Sequence, residues 1–408
     1  MPACLPAGIG GYGELVSTAR TRTWKWRWFA GFVLCASGAV HGAVVTGLYE
    51  ASVPVPDQSA AARHVALQQA LAAVLVKITG ERTAGGVPAL AGLVQDPSQF
   101  LQQYRYEQSP SNGTNASTPT VTYYDLTRTG APAIAPTGLV LWAKFDPEVV
   151  NHAVWAVHEP VWGQERPATL VWLAIQNGAN SSVLSSSDTS PIIQAMTGAA
   201  TQRGVPLIFP LMDLRDQQDI GFPDIWNDQT SRIQLASQRY QPDAVLVGSM
   251  YSTTPGQYAA RWQLTVGSNT RSWVTPPGDL ASVAAAGIQT AADHYAHWFA
   301  IPAGASGVNG VPVTVEGIAG VGAYAKVLAY LRELTPVKTV QVTQVANGTV
   351  HFSVDTRGDF ANLQRAIVLG ELLKPVVTVA AATATGAPSG TTSVSPAPAA
   401  VLRFQYVP

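Results

Sequence analysis

Residues 169–175 read Thr-Leu-Val-Trp-Leu-Ala-Ile, and residues 244–250 read Ala-Val-Leu-Val-Gly-Ser-Met; neither run contains a charged residue. Successive strand side chains point to opposite faces, so a strand this apolar must be covered on both sides. That requirement calls for a sheet with helices flanking it. Candidate helices lie nearby, at 191–203, in a segment ending near Tyr240, and at 279–299, where Leu280, Val283, Gly287, Ala291, His294 and Trp298 form one stripe. Further strands at 205–209, 258–266 and 271–274 would complete a mixed sheet.

On the N-terminal side, a strand within 44–53 precedes a helix that Asp57 or Ser59 can cap, with Leu67, Leu71, Val74, Leu75 and Ile78 on one face and Gly80 at its end. A polar loop covers 109–136, with a strand expected at 121–126. Another strand follows at 139–145, and Asp146-Pro147 caps and starts a further helix. On the C-terminal side the order is strand 311–316, helix 323–334, strands 337–345 and 349–354 across the Asn347-Gly348 turn, and helix 360–373. A low-complexity stretch at 380–400 then leads to a closing strand at 402–406. The fold class expected is α+β, built of three small sandwich-type domains, the first and last ferredoxin-like and the middle one a mixed sheet with flanking helices. The expected boundaries are a leader at 1–43, domains at 44–165 and 166–303, a Gly-rich linker at 304–310, and a last domain at 311–408.

The chain has 408 residues with 24 Lys and Arg and 25 Asp and Glu, so 12% are charged, against roughly 25% in an average globular protein. A net charge of −1 supplies no electrostatic track for phosphates, which argues against nucleic acid as a partner. Arg20, Arg22, Lys25 and Arg27 precede an apolar run at 28–40, followed by Gly42 and Ala43. The run is shorter than the ~20 residues of a spanning helix and reads as a secretory signal peptide, with no transmembrane segment left after cleavage. Leu34 stands before Cys35 where a lipid-acceptor cysteine would need a small residue. Cleavage near Ala43 removes Cys4 and Cys35, the only cysteines, and with them disulfides and thiolate chemistry. The address expected is the periplasm.

No Gly-x-Ser-x-Gly elbow or P-loop is present, so neither a catalytic residue nor a cofactor is expected. Asp213, Asp216, Asp219, Asp224 and Asp228 form the densest acidic group and invite comparison with a hard-cation site, although caps and turns explain aspartates at this spacing better. His294 and His297 lie three apart on a helix, a spacing suited to a metal, but His294 falls on the apolar stripe. His152 and His158 fit a helix C-terminus. Gly317, Gly320 and Gly322 mark a tight turn, and Gly8, Gly10 and Gly13 have no strand before them. Trp142 and Trp172 lie within strands and belong to cores. Trp162, in a loop with Arg166, is the candidate interface anchor.

Several phrases together carry a resemblance: Leu48-Tyr49-Glu50-Ala51, Val74-Leu75-Val76-Lys77-Ile78-Thr79-Gly80, Gln103-Tyr104-Arg105-Tyr106, Pro160-Val161-Trp162-Gly163, Leu170-Val171-Trp172-Leu173-Ala174 and Asp243-Ala244-Val245-Leu246-Val247-Gly248. Over roughly 44–373 the chain resembles the secreted Gram-negative bacterial family named domain of unknown function two thousand and sixty-six. The resemblance implies a periplasmic address and an architecture, and supplies no catalytic residues. The sequence is therefore read as an exported, non-enzymatic factor acting on an unidentified periplasmic or envelope protein. The rival readings are a metal-dependent or glycan-acting hydrolase, and a peptide or glycan binding module with Trp162 and Arg166 in a concave surface.

Overall fold

The computed structural model describes residues 45, 47–83, 86–108, 138–370, 372–376 and 401–407. The leader, the strand expected at 121–126 and the low-complexity stretch lie outside these residues. The fold is mixed α+β, with three sheets among the described residues.

The first sheet is built from β1 (Glu50–Pro54), α1 (Ala60–Thr79), α2 (Pro88–Val94), β2 (Leu101–Gln108), β3 (Leu139–Phe145) and α3 (Pro147–Ala156). Its order is β1-β3-β2, with both pairings antiparallel. This is the split strand-helix-strand order of a ferredoxin-like unit, without a fourth strand among the described residues. Ser59 caps α1 by accepting from the Ala62 amide, and Gly80 ends it at φ 75°. Leu67, Leu71, Val74, Leu75 and Ile78 are all buried and pack on Leu141, Ala143 and Phe145. Asp146 caps α3, accepting from the amides of Glu148 and Val149. Trp142 points to the other face of the sheet, half-buried, with the Arg105 guanidinium 3.9 Å above its ring.

The middle sheet comprises β4 (Thr169–Asn177), β5 (Asn180–Val183), α4 (Pro191–Arg203), β6 (Leu207–Ile208), α5 (Leu214–Asp219), α6 (Phe222–Trp226), α7 (Thr230–Ser237), β7 (Ala244–Thr254), β8 (Gln257–Val266), β9 (Asn269–Gly278) and α8 (Leu280–Phe299). Its order is β5-β4-β7-β8-β9, with β6 also on β4; the β4-β7 and β4-β6 pairs are parallel and the rest antiparallel. Val171 and Leu173 face α4 and α8, while Leu170, Trp172 and Ala174 face α6 and α7. Both faces of β4 are covered, as its composition demands. Where one helix was expected before Tyr240, three short ones stand, because Gly221-Phe222-Pro223 and Asp228, at φ 54°, interrupt the backbone.

The last sheet contains β10 (Val311–Glu316), α9 (Val321–Glu333), β11 (Val337–Ala346), β12 (Thr349–Thr356), α10 (Phe360–Leu369), β13 (Leu373–Pro375) and β14 (Leu402–Tyr406). The order β11-β12-β10-β14-β13 is that of a ferredoxin-like unit in which β14, parallel to β10, is inserted before the outer strand β13. Val313, Phe352, Val354, Leu331, Leu363 and Phe404 form its core. No described helix is long and apolar enough to cross a membrane.

Candidate functional site

Residues 157–168 form a strap from α3 to β4. Val161 pairs with Ile301 just past the end of α8, donating to its carbonyl at 3.0 Å and accepting from its amide at 2.8 Å. The Trp162 amide donates to the Ile78 carbonyl at 2.6 Å. The strap is therefore tied to the C-terminal end of α1 on one side and the end of α8 on the other.

Helix ends leave carbonyls that need donors, and the negative end of the helix dipole favours cations there. At the end of α1 those donors come from distant parts of the chain. Arg166 donates to Lys77 O (2.8 Å), Trp162 O (2.9 Å), Gly163 O (2.7 Å) and Arg203 O (3.1 Å). Its guanidinium lies 3.5 Å over the Trp162 ring. Arg203, from the end of α4, donates to Gly80 O (2.6 Å) and to Asp293 (2.8 Å), and Arg82 shares Asp293 from the other side at 2.5 Å. Lys77 donates to Glu50 O at 2.8 Å. Burial pulls the Lys77 pKa down to about 8, with the Arg166 charge adding to the effect. Burial also raises the Tyr49 phenol nearby to about 12.

Trp162 and Arg166 are each 1% exposed. This corrects the expectation of a surface anchor: a planar cation satisfied by four carbonyls and an aromatic face is fully spent inside the chain. A peptide or glycan platform built on these two side chains has no surface to present.

The opposite side of the strap opens into a small cleft of about 20 Å³, room for about one water molecule. Its walls come from the strap (Trp162, Gly163, Glu165), the end of α8 (Phe299, Ile301), the turn before β11 (Thr335, Pro336) and one face of α10 (Asn362, Arg365, Ala366, Leu369). The last four positions follow i, i+3, i+4, i+7 spacing, so they align along the helix. Gly163 permits this junction, since a Cβ there would sit 1.9 Å from Thr335 Oγ1. The Thr335 amide donates to Glu165 Oε1 at 3.3 Å, and burial raises the Glu165 pKa. Arg365 donates to Asn362 Oδ1 and lies 5.9 Å from the Phe299 ring. Two buried donors on these walls have no partner: Trp162 Nε1 and Arg365 Nε.

The other sequence candidates resolve into structural roles. Asp213 caps α5 and pairs with Arg239 at 2.7 Å, which together hold its pKa well below the usual carboxylate range. Asp216, 1% exposed, accepts from Arg239, from the Tyr240 hydroxyl and from the Met212 amide. Asp224 pairs with Arg232, and Asp228 accepts from Gln263. Among the described residues no group of three or more metal-ligating side chains converges. His294 is held between Trp273, 5.1 Å away, and Trp298, 5.9 Å away, while His297 is exposed. His158 adopts φ 64° just past α3, its amide donating to Trp155 O. Gly8, Gly10 and Gly13 lie outside the described residues.

Glu165, Thr335, Asn362 and Arg365 were not singled out from the sequence. The only signal for them was the charge deficit, which makes Arg365 conspicuous on a short amphipathic helix.

Residues 43–163 match a family model described as Domain of unknown function (DUF8605). This finding overturns the resemblance to family two thousand and sixty-six, since the matching family is a different one and ends at the strap. The phrases behind that resemblance are largely caps, turns and buried strands, which any fold of this class can demand. No curated protein matches the chain.

Proposed function

We propose that this chain is an exported envelope protein that acts by contact with another envelope protein and carries out no catalysis of its own. Export is supported by Arg20, Arg22, Lys25 and Arg27 ahead of the apolar run at 28–40. The contact reading is carried by one observation: Leu211, Leu214 and Leu235 are 53%, 73% and 64% exposed, on α5, α7 and the loop leading to them. Helices α5 and α7 pack together, and Arg239 pins the segment through Asp213 and Asp216. Large aliphatic side chains held in water on a fixed support favour association that covers them.

The rival hydrolase reading draws no support from Asp213, Asp216 or Asp224, whose carboxylates are engaged by caps and ion pairs, or from His294, whose ring packs against two indoles.

In a Gram-negative host, the protein is expected in the periplasmic fraction with a new N-terminus near Ala43; full-length protein in the cytoplasm would contradict export. A photocrosslinker at position 214 is expected to give one discrete protein adduct that Leu235→Asp abolishes while the melting temperature is unchanged. An adduct that survives Leu235→Asp, or no adduct, would contradict the contact reading.

A further inference from the structure

A sheet edge leaves backbone amides and carbonyls unpaired, and proteins guard such edges with short strands, prolines or charges. Most edges among the described residues are guarded in this way. Strands β1, β5 and β13 have five residues or fewer, and Pro54 and Pro375 close two of them. On β2, Arg105 and Glu107 form an ion pair along the strand, and β9 carries Arg271, Pro276 and Pro277. Strand β11 differs: it has ten residues, no proline and one charge, Lys338, and no described strand lies on its outer side.

The sequence of β11 is symmetric about its centre. Residues 339–343 read Thr-Val-Gln-Val-Thr, the same in both directions about Gln341, and Val337 and Val345 extend the symmetry outward. Its two register shifts fall on either side, at Lys338 and Thr343, and leave 339–342 regular between them. Val340 and Val342 stand opposite Val354 and Phe352 of β12, so both lie on the core face, while Gln341, opposite Ser353, lies on the outer face. Val340 is 8% exposed, but Val342 is 37% and Val345 64% exposed, so the apolar face runs on to the open edge.

We infer that β11 pairs antiparallel with β11 of a second copy of this chain, across a two-fold axis at Gln341. Residues opposite each other in an antiparallel pair share a face. An axis at Gln341 therefore sets Thr339 against Thr343, Val340 against Val342 and Gln341 against Gln341 of the second copy, matching like with like on both faces. Lys338 faces Gln344 of the second copy, so no like charges meet. A foreign strand has no need of this symmetry, whereas pairing about a two-fold makes the same strand its own complement. The bulges bound the contact to a short stretch, which makes the dimer weak and concentration-dependent. It depends on neither export nor the Leu211–Leu214–Leu235 surface.

Sedimentation velocity of the purified protein from the micromolar to the millimolar range is expected to show a monomer–dimer equilibrium. Gln341 is exposed, so Gln341→Glu and Gln341→Lys leave the core untouched while each sets like charges against one another at the axis. Each is expected to weaken the dimer about tenfold. Mixing the two variants is expected to restore a heterodimer, which a misfolded variant could not do. In a Cys4→Ser, Cys35→Ser background, Gln341→Cys is expected to form an interchain disulfide on mild oxidation, and Val345→Cys is not, because position 345 faces Val337 of the second copy. A protein that stays monomeric throughout the range, or a dimer that neither charge variant weakens, would overturn the pairing; equal crosslinking at 341 and 345 would overturn the axis at Gln341.

Discussion

Arg166 serves four carbonyls from three segments of the chain, and no uncharged side chain reproduces that fork. Arg166→Met keeps much of the volume but strands those carbonyls, and is expected to lower the unfolding free energy by about 3 kcal/mol in urea titration. Lys77 can be probed through pH. Its folded pKa, about 8, lies below the ordinary lysine value of 10.5, so between these values the unfolded chain binds more protons and stability rises with pH. Tyr49, raised to about 12, acts oppositely only above its ordinary value of 10. Stability measured from pH 8 to 10 is therefore expected to climb, and to climb less in Lys77→Met; an identical slope in both would remove the role assigned to Lys77. The sequence marked Trp162 and Arg166 as a pair but not their burial. An arginine beside a loop tryptophan is consistent with either a partner's surface or an internal cap, and only the tertiary position of the α1 end decides between them.

Helix α1 illustrates what local chemistry makes legible. Its cap at Ser59, its buried stripe and its stop at Gly80 all follow from residue type and 3.6-residue spacing. Ser59→Ala is expected to cost about 1 kcal/mol of stability, since the Ala62 amide loses its acceptor. The strands β4 and β10 and the β11-β12 hairpin were legible for similar reasons. The run before Tyr240 was not, because Gly221, Pro223 and the left-handed Asp228 divide a weakly apolar segment that has no strong periodicity of its own. There the support is tertiary: Asp216 on α5 joins Tyr240 and Arg239. Arg239→Ala is expected to raise hydrogen exchange at the Leu211 and Met212 amides while leaving those of β4 unchanged. Uniform protection across both regions would show that the ion pairs do not hold this loop.

At the scale of the whole molecule, a chain with few charges places several of them where its sheets meet. Arg166 and Arg203 link the end of α1 to the strap and to α4, and Glu165 meets Thr335 ahead of β11. The class of fold and the sheets' place in the sequence were readable from strand and helix patterns. The cleft was not, because its walls come from four segments separated by up to about 200 residues, and each contributes only one or two polar groups. Above all, the strap seals the end of α1 from within the chain. Hydrogen exchange at the Gly80 and Trp162 amides, compared between the unsubstituted protein and Arg166→Met, tests that role most directly. If the strap is an internal cap, both amides lose protection together, in the isolated protein with no partner added. If their protection is unchanged and the urea midpoint does not move, Arg166 and the strap do not hold the end of α1, and an internal cap is contradicted.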